Sequence, residues 1–202
     1  MILPRHGRGA TGAIRRTGAI VAVLCAVTTI ALSARTDDSE RQPTVTVRNN
    51  RGVYSVAARF VVPEQPAVVL AVLTDYGRIP QFMPSVETSV VIERGNGRAL
   101  IEQEAVSSLM MFKKRVHLLL EIVEGRDTLQ FRDRSGRSFV LYEGRWELCE
   151  GNAGTWISYE LTAQPDFDVP EFLLKRLLKR DAAQMIEGLR REIGARRAAP
   201  TE

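Results

Sequence analysis

Residues 112–123 read Phe-Lys-Lys-Arg-Val-His-Leu-Leu-Leu-Glu-Ile-Val, and their alternation is the strongest constraint in the chain. Val116, Leu118, Leu120 and Ile122 fall on one side of an extended strand; Lys113, Arg115, His117 and Glu121 fall on the other. One apolar and one charged face at period two is the pattern of a half-buried antiparallel sheet. Such a face has to be covered. Residues 171–196 supply a cover: Leu174, Leu178, Met185, Leu189 and Ile193 form a helical stripe, widened by Leu177, Ala182 and Ile186. Lys175, Arg176, Lys179, Arg180, Arg190 and Arg191 belong mainly to the polar faces. A sheet with one wet face and one long amphipathic helix make an α+β fold of helix on sheet.

The rest of the body fits that plan. Strands are expected at Val45–Arg48 and Tyr54–Val62, separated by Asn49-Asn50-Arg51-Gly52 as a turn or bulge. Val56, Ala58, Phe60 and Val62 share one face, and Pro63 ends the strand. Pro66 suits a first helical turn, so residues 66–73 read as a short helix broken at Thr74-Asp75-Tyr76-Gly77. Residues 79–84, with prolines at 80 and 84, read as an apolar loop or a single helical turn. Further strands are expected at 88–93, 98–106, 112–123, 128–132, 139–148 and 155–163. The turn signals between them, such as Gly95-Asn96-Gly97, favour sequential hairpins.

Charge is unevenly placed. Residues 1–34 hold Arg5, Arg8, Arg15 and Arg16 and no acid. The other 24 basic residues equal the 24 acidic ones, so the formal charge of +4 comes entirely from this segment. A neutral body has no net field to gather phosphates, which removes the main warrant for nucleic-acid binding. The basic start, the uncharged run from Ala19 to Ala34 and the small residues that end it read as a secretory signal or an uncleaved membrane anchor. The expected localisation is therefore outside the cytoplasm or tethered to the membrane. Residues 35–53 read as a linker and the start of the first strand, 54–196 as the domain, and 197–202 as a disordered tail.

Metal and catalytic motifs are scarce. Outside the presequence only Cys149 and His117 remain of their types. No metal centre, cofactor motif, phosphate loop or nucleophile elbow is read, and no catalytic residue is named.

The run Pro66-Ala-Val-Val-Leu-Ala-Val-Leu-Thr-Asp-Tyr-Gly-Arg-Ile-Pro-Gln-Phe-Met-Pro-Ser-Val86 resembles the opening of the polyketide cyclase/dehydrase and coenzyme Q-binding families, within the START-like, Bet v 1-like superfamily. Tyr142-Glu-Gly-Arg-Trp146, the run from Gly154 to Leu161, and the run from Val169 to Leu178 with Arg180-Asp181 agree with it in order. The resemblance implies a helix-grip fold: a curved antiparallel sheet wrapped around a long C-terminal helix, with a deep apolar cavity. It implies binding and transport of a hydrophobic small molecule, a lipid or isoprenoid quinone, with no cofactor. A cyclase or dehydratase is the alternative, and a protein-interaction module like the toxin-like ribosome-association factor is a second. Fold alone does not choose among them.

Candidate residues follow from that implied cavity. Tyr76, Ile79, Phe82, Met83, Met110 and Met111 are expected at its mouth or wall; ordinary core beneath a loop is the competing reading. Phe131, Trp146, Tyr159, Leu174 and Leu178 are expected to line it or to be plain core. Asp75 is expected to bond turn backbone. Glu102 and Glu104 are expected to answer Lys113 and Arg115 across the sheet. His117 is expected on the wet face and Cys149 to be unreactive. Lys175, Arg176, Lys179 and Arg180 read as a solvated face or as a transient contact with anionic membrane.

Overall fold

The computed structural model describes residues 42–109 and 112–198. Eight strands form one antiparallel sheet: β1 (Thr44–Asn50), β2 (Val53–Val62), β3 (Val86–Gly95), β4 (Arg98–Leu109), β5 (Phe112–Glu124), β6 (Thr128–Asp133), β7 (Phe139–Gly151) and β8 (Gly154–Pro165). Across the sheet they run β1-β2-β8-β7-β6-β5-β4-β3. From β3 to β8 each strand pairs with its predecessor, so this part is a meander of hairpins. After β2 the chain leaves the sheet. It forms α1 (Pro66–Leu73), a 3-10 turn (Tyr76–Arg78) and the single-turn α2 (Ile79–Phe82), then re-enters at the far edge as β3. The C-terminal helix α3 (Glu171–Ala198) lies in the concave side of the sheet.

Turn chemistry sets the hairpins. Asn96 and Gly97 have φ of 51° and 70°, the left-handed pair that a two-residue hairpin loop needs. Between β1 and β2, Arg51 and Gly52 take φ of 52° and 86°, and the Asn49 side-chain oxygen accepts the Gly52 N–H at 3.0 Å.

The period-two readings hold. Val56, Ala58, Phe60 and Val62 of β2 and Leu118, Leu120 and Ile122 of β5 are buried on the inner face. On α3, Leu174, Leu177, Ala182, Ile186, Leu189 and Ile193 are buried, and Leu178 and Met185 are partly so. The architecture is the helix-grip α+β fold that the sequence implied.

Two expectations change. The terminal helix continues to Ala198, so the first two residues of the expected tail are helical; Arg197 pairs with Glu64 at 3.3 Å. Phe82 is core at 5% exposure rather than a gate residue. The cause is a close approach: a side chain at Gly188 of α3 would collide with the Phe82 carbonyl, so α2 packs directly under the helix. The expected presequence, residues 35–41, and Met110 and Met111 lie outside the described residues.

Candidate ligand cavity

Helix α3 packs most closely on β1 and β2 and also meets β4, α1 and α2. The space beneath it is a cavity of about 230 Å³. β5 builds one wall through alternate residues Lys114, Val116, Leu118, Leu120 and Ile122. Leu174, Leu177, Leu178, Ala182 and Met185 of α3 form the roof. Tyr76, Ile79 and Met83 close one side.

An aromatic arc lines the cavity as well. Phe131 stacks toward Tyr159 at 6.3 Å between ring centroids, and Trp146 meets Tyr159 at 4.4 Å. Phe139 contacts Tyr142 at 4.8 Å and Phe167 at 6.1 Å. All six rings line the cavity. Among the described residues no hydrogen bond ends on the Tyr142 or Tyr159 hydroxyl. Burial raises both phenols, Tyr142 to about 12 with help from the Asp181 and Asp133 charges, so both stay protonated donors. Gln103 is a buried polar residue of the wall whose Nε2 donates to the Ser89 hydroxyl at 3.1 Å.

Tyr76 ties the α1–α2 segment to the sheet. Its hydroxyl donates to Glu124 Oε1 at 2.7 Å, and Arg94 grips the same carboxylate at 3.1 and 3.2 Å. The Arg94 guanidinium also lies 5.2 Å from the Tyr76 ring centroid. Burial, then the bond to Glu124, holds this phenol far above its ordinary value. Asp75 does not bond turn backbone as expected. It accepts Arg196 at 2.6 Å, and Arg196 also donates to Glu192 at 2.9 Å, so the segment is clamped to α3 as well.

His117 lies on the outer face, where it cannot reach a cavity ligand. Its Nδ1 is 2.7 Å from Glu104, and its Nε2 is 3.5 Å from Glu102. Glu102 and Glu104 therefore converge on His117, not on Lys113 and Arg115. The register decides it: Glu104 stands directly opposite His117, whereas Arg115 stands opposite Val106 and pairs with Glu87. Cys149 is an exposed free thiol. Among the described residues no three side chains are placed to hold a metal, and no helix is long and apolar enough to cross a membrane.

Of the named candidates, Tyr76, Ile79, Met83, Phe131, Trp146, Tyr159, Leu174 and Leu178 line the cavity, and Phe82 does not. The sequence reading missed Lys114, Tyr142, Phe167 and Asp181. Lys114 was legible, since it shares the parity of Val116 on β5. Phe167 had no periodic signal because it sits in the connection before α3.

This geometry has counterparts. A protein of Thermus thermophilus, TTHA0849, superposes with a TM-score of 0.62 at 23% identity, covering 72% of this chain and 99% of that one. A STAR-related lipid transfer protein from Xanthomonas axonopodis gives 0.59 at 18%, covering 75% and 93%. The Zhui aromatase/cyclase from Streptomyces sp. R1128 gives 0.62 at 13%, covering 73% and 97%. At these identities the likeness is one of fold. Among curated proteins no sequence matches. The family model described as polyketide cyclase / dehydrase and lipid transport matches residues 62–190, more than half of the 202-residue chain. The span takes in α1, α2, the whole meander and most of α3, and by it the chain belongs to the polyketide cyclase / dehydrase and lipid transport family.

Proposed function

We propose that the protein binds and carries a hydrophobic small molecule, a lipid or an isoprenoid quinone, in the cavity under α3. The observation that carries this reading is an apolar hollow walled by β5, the aromatic arc and α3. Each ~100 Å² of apolar ligand surface withdrawn from water contributes about 2.5 kcal/mol, enough for affinity without any reaction. Transfer requires contact with a donor membrane. Phe172, 74% exposed, shares an outward stripe of α3 with the exposed Arg176 and Lys179. An exposed aromatic beside two cations suits a transient contact with anionic lipid. The basic start and uncharged run of residues 1–34 support a domain that is exported or tethered to the membrane.

A second reading, a cyclase or dehydratase, is favoured by the Tyr142 and Tyr159 hydroxyls in the wall, which are suited to donate to a substrate oxygen. One experiment separates the two. Protein purified from its producing cell is extracted with organic solvent and the extract analysed by mass spectrometry, beside the intact mass of the polypeptide. Carriage predicts a stoichiometric apolar compound, unchanged after incubation with the protein. Conversion of that compound would favour the enzyme, and a native protein with an empty extract would remove carriage.

A further inference from the structure

We propose that the cavity selects ligands with an anionic head on a single apolar tail, and that Lys114 holds the head beside Phe167. The inference rests on the binding reading above and narrows it to a chemical class. Lys114 is the one lysine or arginine among the described residues that line the cavity. Its ammonium lies 4.2 Å from the Phe167 ring centroid, and no ion pair among the described residues involves it. Its neighbour Arg115, pointing out of the same strand, is paired with Glu87. Asp181, the carboxylate of the lining, is itself not free.

A half-buried ammonium facing only a ring is incompletely compensated. A π face attracts it by about 0.5–2 kcal/mol. A carboxylate or phosphate forms charge-assisted hydrogen bonds roughly twice as strong as neutral ones. The ring thus holds the ammonium at the cavity edge, where an arriving anion improves on it. Beyond Lys114 the same strand face continues as Val116, Leu118, Leu120 and Ile122, a continuous apolar track for a tail. A cavity of about 230 Å³, small beside the ~300–1,000 Å³ of pockets for drug-sized ligands, suits a single apolar chain.

The test uses three probes with the same tail: dodecanoate, dodecyl phosphate and dodecanol. Each is titrated calorimetrically into the full chain freed of lipid, and into Lys114→Met and Lys114→Arg variants checked for an unchanged thermal midpoint. At least one of the two anions is expected to bind tenfold or more tighter than dodecanol, and the tighter identifies the head. Lys114→Met is expected to abolish that preference while leaving dodecanol within twofold; Lys114→Arg is expected to keep it. Equal binding of acid and alcohol, or a preference that survives Lys114→Met, overturns the anion site and leaves cavity binding intact. Failure of all three probes to bind folded protein overturns the binding reading itself.

Discussion

The two ends of the cavity are held in opposite ways. At the Tyr76 end, a phenol, a carboxylate and a guanidinium lock the α1–α2 segment to the sheet, and Asp75, Arg196 and Glu192 lock it to α3. At the Lys114 end the Phe167 side chain is held by ring-on-ring and ammonium-on-ring contacts. Both ends belong to β5, Glu124 closing it and Lys114 near its start, about 30 Å apart along an extended strand. Charge networks with every partner present fix one geometry, whereas dispersion and cation–π contacts are weaker and less directional. The clamped end is scaffold. The lightly held end is where the proposed ligand head would meet Lys114.

The largest test of that contrast compares two phenylalanines. Phe82→Ala removes a ring buried under α3, and the expected cost is about 3–5 kcal/mol in denaturant unfolding. Phe167→Ala, at the half-buried edge, is expected to cost less than half as much and to weaken ligand binding instead. Equal destabilisation by the two variants would end the distinction between scaffold and ligand end.

A smaller effect sharpens the clamp. Glu124→Ala leaves the Tyr76 hydroxyl and Arg94 without their acceptor, for an expected loss of about 1–3 kcal/mol. Calorimetric midpoints of this variant and Lys114→Met should separate, with Lys114→Met near the unaltered protein. A Glu124→Ala midpoint equal to that of the unaltered protein would show that the network does not hold the segment.

The smallest effect is in alkaline pH. All four tyrosines, at 54, 76, 142 and 159, are raised, each chiefly by burial. The folded protein keeps these protons where the unfolded chain, at about 10, has lost them. Stability is therefore complete below pH 10 and falls as pH rises toward about 12, where Tyr142 titrates. Absorbance at the tyrosinate band should stay flat through pH 10 in the native protein and rise with unfolding. A tyrosine titrating freely at pH 10 without unfolding would show that at least one phenol is not sealed from water.

The meander and the terminal helix were legible because their signals are periodic. Alternation in β5, the apolar stripe of α3 and the Asn96-Gly97 turn are each local consequences of backbone geometry. The resemblance across residues 54–196 supplied the curvature and the expectation of a cavity, which no local pattern contains. Phe82 stayed open between mouth and core because a short apolar run between prolines looks alike in a loop and in a buried helical turn.

What the amino-acid sequence determined by itself is which residues face inward: the parity of β5 alone puts Lys114 on the side of Val116. Only the tertiary structure decided what each inward or outward residue meets. Tyr76 finds Glu124 across 48 positions and Asp75 finds Arg196 across 121, while Glu104 finds His117 because of one strand register. Facing depends on torsions a few residues long, and partnership depends on how distant segments are brought together, which is settled only when the sheet curves and α3 closes over it.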